Sequence, residues 1–198
     1  MDATAWDQRY AGTELVWSGE PNRTVAAEVT GLPAGRALDL AAGEGRNAVW
    51  LAQQGWTVTA VDFSAAGLDK ARRLAEQHGV AVETVQADVT TYRPESGHHD
   101  LVVVAYLQLP AEVLTPVLAA AAEALAPGGT LLLVGHDRAN LTDGVGGPQD
   151  PAVLHTVEEV TAALAGLDVV RAERIRRPVQ VDGEERSAID TLVRALRR

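Results

Sequence analysis

Four strongly apolar runs, RALDLA (36–41), WTVTAVD (56–62), DLVVVAY (100–106) and TLLLVG (130–135), alternate with segments of helical pattern, and this alternation constrains the fold most. Continuously apolar strands are buried on both faces, and parallel neighbours need a crossover that a helix supplies. The punctuation agrees. The pattern predicts helices over 45–54, ended by Gly55, and over 65–78, with Ser64 as cap and Gly79 as stop; a further strand follows over 80–87. Pro116 suits the first position of a helix capped by Thr115 and running to 126, and Thr156 with Glu159 forms a capping box for a helix ending near Gly166. Upstream, residues 4–10 read as a short helix with Thr4 as N-cap, and 22–30 as a helix capped by Asn22 and stopped by Gly31. The tail differs: residues 167–177 and 185–196 are extended runs joined by VDGEE, whose Asp182-Gly183 is a hairpin signal. The expected fold is α/β, a doubly wound, mostly parallel seven-stranded sheet with a C-terminal antiparallel hairpin. It forms one domain over 1–198, with residues 1–31 as a helical cap.

A chain of 198 residues, 46% apolar and 22% charged, suits one soluble domain with a sizeable core. No apolar run approaches the ~20 residues of a membrane span, and MDATAWDQRY lacks the basic and apolar regions of a secretory signal, so the expected compartment is the cytoplasm. The absence of cysteine excludes disulfides and thiolate catalysis. A net charge of -10 argues against binding phosphate backbones. Arginines gather late, at 171, 174, 176, 177, 186, 194, 197 and 198, without interleaved aromatics; they read as solvated strand residues paired with Glu173, Glu184 and Glu185. No His, Asp or Glu spacing suggests a metal site.

In such a sheet, ligands bind beyond the carboxyl ends of the strands at the topological switch point. The first loop, in ALDLAAGEGRNAVWLA (37–52), lies there. Its GEGRNA also fits the dinucleotide fingerprint G-x-G-x-x-(G/A), and Asp62, ending the second strand, can accept both hydroxyls of a ribose. To this point an NAD-dependent dehydrogenase and a methyltransferase fit equally. Three features then separate them. Asp39 precedes Gly43 by four residues, where a carboxylate would repel a pyrophosphate but suits the cationic methionine end of S-adenosylmethionine. QADV (86–89) places Asp88 after the third strand, within reach of an adenine amino group. LAPGGTLLLV (125–134) turns through Gly128-Gly129 into a buried strand.

These motifs resemble those of the class I S-adenosylmethionine-dependent methyltransferases, whose fold is Rossmann-like, and the resemblance covers nearly the whole chain. Within the class, WDQRY (6–10), LVWSGEPN (15–22) and GEGRNAVWLAQQG (43–55) are similar to the tellurite-resistance and thiopurine methyltransferase branch. The chain departs from that pattern at Ala41, where glycine is usual, and at Ala42, where cysteine is frequent. The resemblance implies that Asp62 holds the ribose, that Phe63 lies on the adenine, and that Asp88 with the Val89 amide reads its edge. It implies further that Asp39, Ala41, Gly43 and the backbone near Ala105 line the methionine part, and that Trp17 closes over the cofactor.

Methyl transfer from a sulfonium is an in-line displacement, so acceptor groups must lie at the same carboxyl-end face. His98 and His99 precede the fourth strand and lie at the opposite end. His136, after the fifth strand, is the candidate general base; Tyr106 is a second catalytic candidate. Gln108, Arg177 and Arg186 are candidate acceptor ligands, the arginines for an anionic group. Residues 136–155 read as a long irregular connection of the kind that forms lids. The expected activity is methyl transfer to a small-molecule acceptor that is soft or anionic: a chalcogen oxyanion, a thiol or a small metabolite. A non-catalytic S-adenosylmethionine-binding module is the alternative, and the dehydrogenase a more distant one. The oligomeric state is not legible in the sequence.

Overall fold

The computed structural model describes residues 3–198. Five parallel strands come first in the sheet: β1 (Arg36–Leu40), β2 (Thr57–Asp62), β3 (Glu83–Gln86), β4 (His99–Ala105) and β5 (Leu125–His136). The hairpin of β6 (Asp168–Val181) and β7 (Glu184–Leu196) completes it. The order is β3-β2-β1-β4-β5-β7-β6, with β7 antiparallel to both neighbours. The order in which the chain adds strands reverses between β1 and β4, so the loops after these two parallel strands splay apart and leave a crevice at their carboxyl ends.

Helices cover both faces. On one face, α2 (Arg23–Val29) and α3 (Arg46–Gln53) bury Val25, Val29, Ala48 and Leu51 against Leu101, Val103, Leu132 and Val134. Next to them, α4 (Ala65–Gln77) packs Leu74 and Ala75 on Val49, and α1 (Ala3–Tyr10) lies against α4. On the other face, α5 (Ala111–Ala124) and α7 (Val157–Ala163) pack Leu114, Leu118 and Val160 on Leu38, Val102, Leu131 and Leu133. Each such aliphatic side chain, fully buried, stabilises the fold by about 1.5–3 kcal/mol. The alternation of Leu132 and Val134 with Leu131 and Leu133 between the two cores is the period-2 reading of a two-sided strand.

Local signals explain most boundaries. The Asn22 side chain accepts from the Thr24 and Val25 amides, Ser64 from Gly67, and Thr156 with Glu159 forms a complete capping box. Asp182 and Gly183 both take positive φ, as a two-residue hairpin turn requires.

Four expectations are corrected. Thr4 lies inside α1, not at its cap. The third strand spans only 83–86. Pro116 does not open its helix: α5 begins at Ala111, and the Thr115 hydroxyl donates back to the Ala111 carbonyl at 2.8 Å instead of capping. The apolar stripe through Leu114, Val117, Leu118 and Ala121 outweighs the missing Pro116 amide. The 136–155 connection is not wholly irregular. It carries α6 (Asn140–Asp143), a 3-10 turn at Pro151–Val153 and a bridge pairing Asp137 with His155.

Among the described residues no helix is long and apolar enough to cross a membrane, and no group of three or more His, Cys, Asp or Glu could hold a metal ion.

Candidate active site at the carboxyl edge of the sheet

The crevice is floored by the loop from Ala41 to Gly45. Ala41, Gly43 and Gly45 all take positive φ (59°, 56° and 78°), and the loop closes through the Gly45 amide on the Ala42 carbonyl at 2.9 Å. Small residues on α4 let it sit close: a Cβ on Gly67 would lie 3.0 Å from the Gly43 carbonyl oxygen, and one on Gly45 would lie 2.5 Å from the Ala71 Cβ. Asp62 ties this loop to the next. Its Oδ2 accepts from the Gly43 amide and its Oδ1 from the Ser64 amide, each at 2.8 Å. Burial raises the Asp62 pKa, and those two amide bonds oppose the rise. The Phe63 amide also bonds this carboxylate, and a carboxylate has about four acceptor sites, so it keeps capacity for a hydroxyl in the crevice.

Asp39 sits below the loop, 1% exposed. It accepts from the Ala48 amide at the N-terminal turn of α3, but its buried Oδ2 has no partner. Burial and the Asp62 charge push its pKa up to about 7, against the pull of Arg46 and the Ala48 amide. An orphaned buried carboxylate oxygen is costly unless a donor comes to it. The cationic amino group of an amino-acid moiety is such a donor, so these residues fit the methionine end of S-adenosylmethionine; a pyrophosphate would meet repulsion. Phe63 is half-buried and outside the hydrophobic clusters, and Val89 is buried. Asp88 is exposed, with Oδ1 accepting from the Thr90 amide and hydroxyl. Ala105 ends β4 at the rim.

Glu44, which sequence reasoning passed over, holds the N-terminal segment onto this loop. It is 3% exposed and accepts from the Val16 and Trp17 amides, both at 3.0 Å, and from Lys70 Nζ at 2.9 Å. Lys70 also donates to the Glu14 carbonyl. Trp17 itself is 41% exposed, with the Arg9 and Arg46 guanidinium groups 5.2 and 6.0 Å from its ring. Tyr10 is buried beside the loop; burial, opposed by a bond with Trp17, pushes its hydroxyl up to about 12. A Cβ on Gly43 would lie 2.8 Å from that hydroxyl oxygen.

On the same face, a polar cluster gathers around Asp190 of β7, fully buried. Asp190 pairs across the sheet with His136, the last residue of β5. Its Oδ2 accepts from the Tyr106 hydroxyl at 2.7 Å and from Arg177 Nε at 2.8 Å; its Oδ1 lies 3.2 Å from His136 Nδ1. Burial alone would raise its pKa, but His136, Arg177 and Tyr106 together hold it below the usual carboxylate range. Tyr106 has φ +57° and packs its ring edge-on against His136 at 4.9 Å. Arg177 lies 5.6 Å from the Tyr106 ring, and the Asn22 side-chain amide donates to the Tyr106 hydroxyl at 3.4 Å. Burial, reinforced by Asp190, raises the Tyr106 pKa. Asn22 is in turn held by Asn47 of α3, which accepts from the Asn22 amide at 2.9 Å. The cap of α2 thus joins the cofactor loop to the Asp190 cluster.

The structure therefore brings Asp39, Ala41, Gly43, Asp62, Tyr106, His136 and Arg177 to one edge. It does not bring Arg186 into the cluster. That residue lies four positions along β7 from Asp190, about 13 Å away at the strand rise, and pairs with Glu184 at 3.3 Å. Gln108 is half-buried in the segment between β4 and α5. His99 stands at the opposite end of the sheet. The arginine partners are also redistributed: Glu173 does bind Arg171, but Glu28 of α2 binds both Arg171 and Arg194, and Asp137 binds Arg174 at 3.0 Å. Asp137 is buried on the other face of β5, where it accepts from Thr191 at 2.7 Å.

Comparison with known proteins agrees with this geometry. Residues 37–129, from β1 into the first half of β5, match the methyltransferase domain family. Solved structures share the fold along almost the whole chain. One, from work on the conversion of a disulfide bond into a thioacetal group during echinomycin biosynthesis, has a TM-score of 0.79 at 21% identity, covering 98% of this chain and 92% of its own. TehB from Haemophilus influenzae has a TM-score of 0.75 at 17% identity, covering 99% of this chain and 67% of its own. The N-methyltransferase NodS from Bradyrhizobium japonicum, solved with S-adenosylhomocysteine, has a TM-score of 0.75 at 16% identity, covering 98% of this chain and 97% of its own. A methyltransferase domain family thus matches residues 37–129, and beneath the first loop of that stretch lies an orphaned carboxylate that fits the cationic end of S-adenosylmethionine.

Proposed function

We propose that the protein is an S-adenosylmethionine-dependent methyltransferase whose acceptor is a small molecule, soft or anionic, bound between the cofactor loop and the Asp190 cluster. The observation that carries this reading is the placement of two unlike polar groups on one edge. Asp39 offers an unpartnered buried oxygen to a cation, and Arg177, a quarter exposed, offers a guanidinium towards the acceptor side. In this reading Asp62 holds the ribose, Phe63 lies on the adenine, and Asp88 with the Val89 amide reads the adenine edge. Ala41, Gly43 and the Ala105 backbone line the methionine part, and Trp17 closes over it. The bound donor supplies an electrophilic methyl group on a sulfonium. The protein's contribution is then mainly positioning, which can supply roughly 7–11 kcal/mol of a displacement barrier. Tyr106 and Arg177 orient the acceptor, His136 takes its proton, and Gln108 and Arg186 meet only the outer part of a longer one.

The likeness to TehB and the motifs WDQRY and GEGRNAVWLAQQG support a place in the tellurite-resistance and thiopurine methyltransferase branch. Residues 1–198 act as one unit, the segment before residue 31 serving as the cap that Glu44 anchors. A net charge of -10 disfavours a nucleic-acid acceptor. The test is a panel of thiols, phenols, selenite and tellurite incubated with the donor, following S-adenosylhomocysteine. Turnover with at least one small acceptor supports the proposal. Donor binding with turnover only on a nucleic acid or a protein contradicts it.

A further inference from the structure

Two buried polar atoms face each other in the acceptor-side cluster. His136 Nδ1 and Asp190 Oδ1 lie 3.2 Å apart, and neither makes a well-aligned hydrogen bond with any other group. The other oxygen of Asp190 is fully engaged, accepting from Tyr106 and Arg177. An ionised carboxylate only accepts, so the ring nitrogen facing it must be the one that carries a proton. A neutral imidazole with its proton on Nδ1 has its lone pair on Nε2.

The surroundings fix the ring in this attitude. Tyr106 packs edge-on against His136, and Gly147 covers the ring: a Cβ there would lie 3.0 Å from Nε2 and Cδ2. Gly147 takes φ +73°, so a side chain is disfavoured by backbone as well as by space. The covering turn is pinned. Asn140 donates to the Gly146 carbonyl at 2.8 Å and accepts from the Ile189 amide at 2.7 Å, and the Val145 amide donates to the Ser187 carbonyl at 3.1 Å. The same strand segment, Ser187 to Asp190, therefore carries both the lid's anchors and the carboxylate.

Building on the methyltransferase reading above, we propose that Asp190 is the positioning residue of the reaction: it holds His136 as the Nδ1–H tautomer, so that Nε2 receives the acceptor's proton. The acceptor's electron pair forms the bond to the methyl carbon, the carbon–sulfur pair passes to sulfur, and the proton leaves the acceptor for Nε2. Asp190 acts through His136 and does not touch the acceptor.

Nitrogen-15 NMR of histidine-labelled full-length protein reads the tautomer directly and needs no acceptor. The wild type should show the His136 proton on Nδ1 and the lone pair on Nε2. In Asp190→Asn the side-chain amide can donate, so the proton should move to Nε2. In the acceptor panel that variant should lose ~10²–10⁴-fold in kcat, with unchanged affinity for S-adenosylhomocysteine. A wild-type His136 that is an imidazolium, or protonated on Nε2, overturns the proposal even if Asp190→Asn fails to fold. Calorimetry with S-adenosylhomocysteine separates the two levels. If the wild type does not bind it, the methyltransferase reading itself fails; if it binds and the tautomer is wrong, only the role of Asp190 falls.

Discussion

At the scale of single residues, Asp39 and Ala41 bear most directly on the cofactor. Asp39 titrates near neutrality because burial and Asp62 disfavour its charge. Its folded pKa lies above the unfolded value, so the folded state binds more protons between about pH 4 and 7, and stability of the free protein falls as pH rises through that window. A cationic ligand reverses the preference by favouring the carboxylate. Binding of S-adenosylhomocysteine at pH 6.5 should therefore release a proton, and affinity should rise with pH up to about 7. Titration calorimetry in buffers of different ionisation enthalpy measures this; equal apparent enthalpies in all of them would remove Asp39 from the ligand's contacts. Ala41 at φ +59° is in the left-handed region, which costs a side-chain-bearing residue roughly 1–2 kcal/mol. Glycine removes that strain but loosens the unfolded chain by roughly 0.4–1 kcal/mol. Ala41→Gly should thus stabilise the protein by about 0.5–1 kcal/mol in denaturant unfolding, and a loss of stability would show that the alanine methyl is needed for packing.

At the scale of elements, residues 14–17 of the N-terminal segment rest on the buried Glu44–Lys70 ion pair. Removing one member of such a pair strands the other, at a cost of roughly 3–5 kcal/mol. Glu44→Ala strands Lys70 and frees the Val16 and Trp17 amides. The expected result is a stability loss of about 3 kcal/mol, together with faster amide exchange at Val16 and Trp17 and weaker S-adenosylhomocysteine binding. Unchanged exchange at those two amides would mean that the segment is held by its aromatic contacts instead. The lid turn belongs to the same scale. Gly147→Ala places a methyl against the His136 ring and adds left-handed strain, so a destabilisation of about 1–2 kcal/mol is expected in thermal unfolding. No loss would show that the turn is free to move off His136.

At the scale of the whole molecule, the fold was largely legible because its signals are local and periodic. Continuous apolar strands, Asn22, Ser64 and Thr156 caps and the Asp182-Gly183 turn each act within a few residues. The strand-end carboxylates Asp39 and Asp62 were legible for the same reason: a charge ending an apolar run has few structural uses. Asp190 was not, because it lies inside an apolar strand and gains meaning only when the antiparallel register sets it beside His136. Glu44 was hidden in a loop whose glycines drew the reading, and its partners are 26 to 28 residues away in sequence. The start of α5 was misplaced because the Pro116 signal at the helix terminus competes with a buried stripe that begins before it.

The central claim is that this edge binds S-adenosylmethionine and not a dinucleotide. Thermal unfolding with S-adenosylhomocysteine or NAD, each present at about 100 times the dissociation constant measured for S-adenosylhomocysteine, tests it most directly. A ligand that binds only the folded state at that excess stabilises it by about 2.7 kcal/mol, which for a chain of this size raises the melting temperature by roughly 5–10 °C. The expected result is that shift with S-adenosylhomocysteine and none with NAD; a shift with NAD and none with S-adenosylhomocysteine would contradict the account.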